Sequence, residues 1–337
     1  MKAHTMRQHH LPTIRLAASL LTLTGVACGV GSSYPAPPDT WGTSLDGNTL
    51  ASADVVDSTA TPGRPANGWL YTRGNHIYTP DGRVWHGHGA NLQDPRSCGA
   101  CQADAGPREV MRRIDELVDT WGANFIRLTL ESYETSSVLT DPNYLRNIQT
   151  IIRHVGTKPG VRVLLSVWTD PSLSDAGWPT DQTRRVWQRL AQTFARSPHV
   201  LFGVANEPVD NNDGALDEDV WEAMDDSVAV IRAAEALVTD QRHIIVVQGT
   251  GDHARRLSYY EAHPIEAGKG ENVAYEVHVY DHKSRFDDLF VKPAQILPVI
   301  IGEFGPVNGA MSLEDCSRLL ETARAAEVPH LAWTFHM

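Results

Sequence analysis

The sequence predicts a (β/α)8 barrel with a β-hairpin in front of it, on three observations. Eight apolar runs of strand length alternate with helical or helix-compatible stretches from Gly68 to Met337, the size and rhythm of that architecture. No glycine-rich phosphate loop follows the first run, which weighs against a doubly wound open sheet, the alternative fold. Two of the runs also end alike, in a glutamate with glycine or proline beside it: Leu201-Phe-Gly-Val-Ala-Asn-Glu-Pro208 and Pro298-Val-Ile-Ile-Gly-Glu-Phe-Gly-Pro306. Continuous apolar runs closed by a residue that cannot extend a ladder suit central strands of a parallel sheet.

Taken in order, Leu70 to Val84 reads as the hairpin, with Pro80-Asp-Gly82 as its turn. The first barrel strand is expected over Val84–Leu92, then a helix over Pro107–Trp121, where Val110, Ile114, Leu117 and Val118 recur at helical spacing. Strands two and three are Ala123–Leu130 and Val161–Val167, followed by helices Tyr144–Val155 and Asp181–Ala195. Strand four, Val200–Ala205, leads to a long helix over Asp217–Leu237. Strands five, six and seven are His243–Gln248, Val273–Val279 and Val299–Gly302. A helix over Leu313–Ala326 precedes strand eight, Leu331–Phe335. The sequence then stops at Met337, so the last barrel helix is expected to be missing and the chain truncated, with apolar surface of strands one and eight uncovered.

The first 66 residues do not read as fold. Lys2, Arg7 and Arg15 precede an apolar run, Leu16–Ala27, too short to span a bilayer as a mature helix, so residues 1–28 are expected to be an export signal. It ends in Gly25-Val-Ala-Cys28, which resembles the lipobox of bacterial lipoproteins; that implies lipidation of Cys28, with plain cleavage and release as the alternative. Gly25 stands where that family usually has leucine. Residues 29–66, rich in Ser, Thr, Pro, Gly and Asp without periodicity, read as a flexible linker, which leaves 67–337 as the functional domain. His9 and His10 lie inside the signal and are given no metal role.

A hydrophobic content of 42% supports a substantial core, and a formal net charge of -12 argues against nucleic acid or an anionic membrane surface as partner. An uncharged glycan remains compatible. Membrane attachment is expected only through the lipid anchor, and a monomer is expected. The four cysteines are Cys28, Cys98, Cys101 and Cys316. Cys98-Gly-Ala-Cys101 invites a zinc or redox reading, but without a second ligand pair in an exported chain a local disulfide is preferred. Cys316 is then left over, its partner expected in the missing tail.

In a barrel of this kind chemistry sits where strands end. Arg127 lies in strand two, Asn206 and Glu207 close strand four, His278 and Tyr280 share a face of strand six, Glu303 closes strand seven and Trp333 lies in strand eight. Singly each has an ordinary explanation: a paired arginine, a satisfied core histidine, a packed tryptophan, a helix-capping carboxylate. Together, two carboxylates on different buried strands are what retaining glycosidase chemistry requires, one protonated to donate to the leaving oxygen and one ionised to attack.

Asn-Glu-Pro after strand four, His-x-Tyr on strand six and Gly-Glu-Phe-Gly on strand seven together resemble the cellulase family, glycoside hydrolase family 5, of the large clan of retaining (β/α)8 glycosidases. The resemblance runs from about Gly68 to the end. It implies Glu207 as general acid/base, Glu303 as nucleophile, Asn206 on the sugar 2-OH, Arg127 and Tyr280 beside Glu303, His278 orienting the acid/base region or the substrate, and Trp333 as a floor beneath the sugar. It implies an endo-acting β-glycanase on glucan or mannan, with no metal or organic cofactor; exo-glucosidase, β-mannosidase and transglycosylase activities stay open. Carboxyl groups about 5–5.5 Å apart are expected.

The chain departs from the family where a histidine commonly ends strand three; here Leu165-Ser-Val-Trp-Thr-Asp170 places Trp168 there, for sugar stacking or for packing. His86 and His88 follow the period of strand one, with Asn91 and Asp94 beyond, as weaker sugar-binding candidates, core or supporting roles being preferred for the histidines. Trp178 and Trp187 are weaker still, and Asp210-Asn-Asn-Asp213 reads as a solvated loop placed where a substrate-contacting loop would be. The competing class is a carbohydrate-binding surface protein on an inactive glycosidase barrel. The presence of both glutamates favours the enzyme.

Overall fold

The computed structural model describes residues 68–95, 107–134 and 137–335. The expected signal, linker, Cys28, Cys98 and Cys101 lie outside the described residues. Tyr71–Arg73 (β1) and His76–Tyr78 (β2) form an antiparallel hairpin. The barrel strands are His88–Gln93 (β3), Phe125–Leu130 (β4), Arg162–Val167 (β5), Val200–Gly203 (β6), Ile245–Gln248 (β7), Val273–Val279 (β8), Val299–Phe304 (β9) and His330–Ala332 (β10). They close in the order β10-β3-β4-β5-β6-β7-β8-β9, every pairing parallel, so no edge is left unpaired.

Six helices accompany them among the described residues: α1 Arg108–Asp115, α2 Pro142–Val155, α3 Asp181–Phe194, α4 Asp217–Ala236, α5 Ser258–Ala262 and α6 Leu313–Ala325. None is long and apolar enough to cross a membrane. Their starts are written locally. The Asp141 side chain accepts from the amides of Asn143 and Tyr144, with Pro142 in the first turn of α2. Thr180 and Ser312 form reciprocal capping boxes with Thr183 and Asp315 at α3 and α6. Asp217, Glu218 and Asp219 meet the positive end of α4.

Alternation along each strand divides the core in two. Ile126, Leu128 and Leu130 of β4 face outward into the large cluster beneath the helices. Phe125, Leu164, Leu201, Val246, Ala274, Ile300 and Leu331 face the barrel axis, and Leu70, Ile77 and Trp85 close that layer from below. Trp85 meets Phe125 edge-on, with ring centroids 4.7 Å apart. The hairpin therefore plugs the N-terminal end of the barrel, and the opposite end stays open.

Several boundaries differ from expectation. The hairpin reverses at Gly74–Asn75, where Arg73 pairs with His76 and Gly74 takes a φ of 60°. Pro80-Asp-Gly82 is a second reversal that returns Val84 to Tyr78. The first barrel strand starts at His88 rather than Val84, because Trp85 is drawn into the plug. β9 extends to Phe304 and β10 ends at Ala332, so Glu303 lies inside a strand and Trp333 just beyond one. Helical segments thin out late in the chain. Three short turns, Lys283–Arg285, Asp287–Val291 and Pro293–Gln295, connect β8 to β9, Pro293 having no amide to extend the turn before it.

Candidate active site

Period two along the strands brings the polar residues inward above the apolar plug. Arg127 of β4 and Ser166 of β5 follow Phe125 and Leu164 on the axis-facing side. On β8, Ala274 gives way to Glu276 and His278, and Tyr280 follows just beyond the strand. β9 needs one correction to bring Glu303 round. Val277 pairs with Ile301, but His278 pairs with Glu303, so Gly302 is the extra residue of a bulge. That bulge resets the alternation and places Glu303 beside His278.

Arg127 is the hub, and it is fully buried. Its Nη1 donates to Glu303 Oε1 at 2.7 Å and to Asn91 Oδ1 at 2.9 Å. Its Nη2 donates to Asn206 Oδ1 at 2.7 Å and Ser166 Oγ at 2.9 Å, and its Nε lies 3.0 Å from Glu276 Oε1. Burial works against the guanidinium charge, and Glu276, Glu303 and Glu207 more than restore it, so its pKa is raised. The Tyr280 hydroxyl donates to the second oxygen of Glu303 at 2.8 Å. Burial, then the neighbouring Glu303 charge, pushes that phenol upward, so it stays a donor.

Glu207 follows β6 in a left-handed conformation, φ 48°, rare for a residue with a side chain and costing about 1–3 kcal/mol. The Gln248 side chain holds it there by accepting its backbone amide at 2.8 Å. Its Oε1 lies 2.8 Å from His278 Nδ1. Burial pushes the Glu207 carboxyl up, but the His278 hydrogen bond and charge, with His253 and Arg127 nearby, outweigh burial and hold it below the ordinary glutamate value. Burial would depress His278; Glu303, Glu207 and Glu276 oppose this and push it up to about 9.

Glu207, His278 and Glu303 each offer an atom within 4.8 Å of the others, a spacing compatible with metal ligation. Those atoms are already committed: both Glu303 oxygens accept from Arg127 and Tyr280, and both His278 nitrogens face carboxylates. One oxygen of each carboxylate thus lies within 4.8 Å of the other's, short of the about 6.5–9.5 Å that leaves room for water in an inverting glycosidase.

Glu207, Tyr280 and Glu303 line a cleft of about 400 Å³, with Trp168, Asn206, His253, Arg255, Val307, Ala310 and Trp333 as the rest of its wall, and the buried Arg127 and His278 lie beneath it. Every residue of the two-carboxylate constellation expected from sequence is thus brought together, and Trp168 lines the same cleft. Other candidates fall elsewhere. His86 and His88 are exposed at the start of β3, at the plugged end, with His88 bonded to the His86 and Gly122 carbonyls. Asn91 is a buried strut, its amide donating to the Gly302 and Ala332 carbonyls. Asp94 accepts from the Tyr144 hydroxyl, and Trp187 is buried core with its indole on the Val204 carbonyl. Trp178 donates to the Val209 carbonyl on the loop behind Glu207. The Asp210–Asp213 loop is pinned rather than solvated throughout, since Asn211 is buried on Asp217 and the Thr250 carbonyl. Cys316 is a free, half-buried thiol on α6.

Sequence reasoning missed Glu276, Gln248, Ser166, His253 and Arg255. Glu276 had a signal, the same parity as His278 and Tyr280. His253 and Arg255 sit in the loop after β7, where no periodicity points inward.

Residues 86–337 match the model of a family described as cellulase (glycosyl hydrolase family 5). Among curated proteins, the chain is 21% identical over 234 residues to Endoglucanase E-5 of Thermobifida fusca, covering 66% of this chain and 47% of that one. It is 26% identical over 198 residues to endoglucanase MaCel5A of a Microbulbifer species, covering 57% and 36%. The matched region thus spans less than half the length of either relative. Among solved structures, the catalytic domain of Thermobifida fusca endoglucanase Cel5A superposes with a TM-score of 0.63 at 18% identity, covering 80% of this chain and 85% of that one. The β-glucanase SdGluc5_26A of Saccharophagus degradans gives 0.63 at 20% identity, covering 83% and 90%. A β-mannanase of Streptomyces thermolilacinus gives 0.61 at 18% identity, covering 80% and 86%.

Proposed function

The chain belongs to the cellulase family, glycosyl hydrolase family 5, and we propose that it is a retaining endo-β-glycanase acting on a β-linked glucan. The observation that carries the reading is the pair Glu207 and Glu303, with carboxylate oxygens within 4.8 Å. The endoglucanase names of both curated relatives support glucan as substrate, and the β-mannanase likeness makes mannan the polymer to test beside it.

In this mechanism Glu303 is the nucleophile. Arg127 and Tyr280 each donate to one of its oxygens and so aim it. Glu207, protonated, gives its proton to the glycosidic oxygen as a Glu303 oxygen bonds the anomeric carbon and the leaving sugar departs. Glu207, now a base, takes a proton from water, whose oxygen displaces Glu303 from the anomeric carbon with net retention. Asn206, fixed by Arg127 Nη2, turns its amide toward the sugar 2-OH. Trp333 gives the sugar an apolar floor, and Trp168 faces the same space. Only side chains of this chain take part.

Export belongs to the same reading. The basic start and apolar run of residues 1–28 support an envelope or secreted location, with lipid on Cys28, residues 29–66 as tether and 67–337 as the catalytic domain. Labelling with a radioactive fatty acid, lost in Cys28→Ser, tests the anchor.

Reducing-sugar release from soluble β-glucans, mannan and xylan tests the function, comparing wild type with Glu303→Ala and Glu207→Ala. Activity on one polymer, abolished by Glu303→Ala, is the expected result. Activity unchanged by Glu303→Ala overturns the mechanism, and binding without product supports a glycan-binding protein instead.

A further inference from the structure

Beneath the two cleft carboxylates lies a third, Glu276. It is fully buried, it is on β8 rather than at a strand end, and the mechanism above does not use it. A buried carboxylate needs cations, and Glu276 has two. Its Oε1 stands 3.0 Å from Arg127 Nε and 3.0 Å from His278 Nε2. Room for it is made by the bulge: a Cβ on Gly302 would lie 1.8 Å from Glu276 Oε1.

His278 is consequently held between two carboxylates. Nε2 faces Glu276 at 3.0 Å, and Nδ1 faces Glu207 at 2.8 Å and Glu303 Oε2 at 3.6 Å. An ionised carboxylate accepts and cannot donate, so both ring nitrogens must carry hydrogen to satisfy both contacts. From β7 the Gln248 amide nitrogen, a donor because its oxygen holds the Glu207 amide, stands 3.4 Å from Nε2, but it does not need Nε2 as an acceptor because it also hydrogen-bonds Glu276. From β4, Arg127 reaches the ring only through Glu276 and Glu303, and Tyr280 is spent on Glu303.

We propose that Glu276 is a positioning residue that keeps His278 doubly protonated, so that the acid/base group Glu207 works against a fixed cation throughout the cycle. The inference rests on the retaining reading for the role of Glu207, but the state of His278 does not. The imidazolium keeps both protons in both half-reactions. When Glu207 has released its proton to the glycosidic oxygen, the new carboxylate already has a charged donor on Oε1. Its other oxygen is left for the leaving group and later the water. The cost is that Glu207 holds its proton only at lower pH. Burial of the imidazole ring opposes its charge, and the surrounding carboxylates overcome that opposition.

The test combines nitrogen-15 NMR of histidine with the pH profile of kcat/KM, in wild type and Glu276→Gln. The wild-type His278 ring is expected to show two protonated nitrogens at pH 6 through 8, losing one near pH 9. In Glu276→Gln the ring is expected to lose its charge at lower pH. Removing a cation 2.8 Å from Glu207 outweighs removing the more distant anion, so the alkaline limb of kcat/KM should move to higher pH. A move of one unit raises the ratio of activities across the limb about tenfold. A neutral His278 in wild type at pH 6 overturns the proposal, as does a variant that loses activity equally at every pH. If Glu276→Gln fails to fold, the wild-type spectrum decides alone. If no glycan is hydrolysed, the spectrum still reads His278, and the failure belongs to the enzymatic reading.

Discussion

Arg127 Nη1 stands 2.7 Å from Glu303 Oε1, and the same guanidinium reaches Asn91, Ser166 and Asn206 with its remaining donors. One planar group thereby fixes the proposed nucleophile and the asparagine beside the proposed acid. Lysine keeps the charge but offers a single flexible ammonium. Arg127→Lys is expected to lower kcat/KM on the order of 10²-fold through misplacement of both groups. Steady-state kinetics on a soluble glucan checks it, and a loss below threefold would show that charge alone suffices.

Gly302 is the bulged residue against the Glu276 carboxylate, and a methyl group there has no space. Gly302→Ala displaces a buried carboxylate from both its cations, a loss of about 3–5 kcal/mol. Thermal denaturation should show a clear fall in Tm. Gly160→Ala is the reference: nothing lies near a methyl group there, so only the strain of its positive φ, 75°, acts, whereas Gly302, whose φ is not positive, suffers only the collision.

The Glu207 carboxyl titrates below the ordinary glutamate value despite burial, because His278, His253 and Arg127 face it. The proposed reaction needs its protonated form. Raising pH through that pKa removes the acid, so the alkaline limb of kcat/KM should lie on the acid side of neutral. A pH profile with its maximum above pH 8 would contradict the assignment of Glu207.

Trp333, just beyond β10, and Trp168, just beyond β5, line one cleft. Loss of the Trp333 indole is expected to weaken substrate binding about tenfold, the worth of some 60 Å² of apolar contact. Trp333→Ala and Trp168→Ala compared by KM and kcat show which ring contacts the sugar in the ground state. An effect confined to Tm would make that tryptophan packing alone.

Much of the site was legible because barrel chemistry follows from alternation: Arg127, Asn206, Glu207, His278, Tyr280 and Glu303 lie where buried strands turn polar. The fold was legible because eight apolar runs recur between amphipathic helices, of which α2 and α3 keep clean spacing and written caps. Bulges hide from periodicity. Gly302 shifts the parity that puts Glu303 inward, and nothing local marks it. Glu276 was passed over because a charge inside an apolar strand reads as an exception until its two cations, from β4 and from its own strand, are seen on either side. The hairpin turn was misplaced since Pro80-Asp-Gly82 is a real turn, one reversal later than Gly74–Asn75. His253 and Arg255 are placed by a loop that no repeat announces.

The central claim is a double displacement by Glu207 and Glu303. Proton NMR of the first-formed reducing end during hydrolysis of a soluble β-glucan oligosaccharide tests it most directly. The account requires the β-anomer to appear first, with α following only by mutarotation. Initial release of the α-anomer would mean inversion, and the roles assigned to the two glutamates would fall.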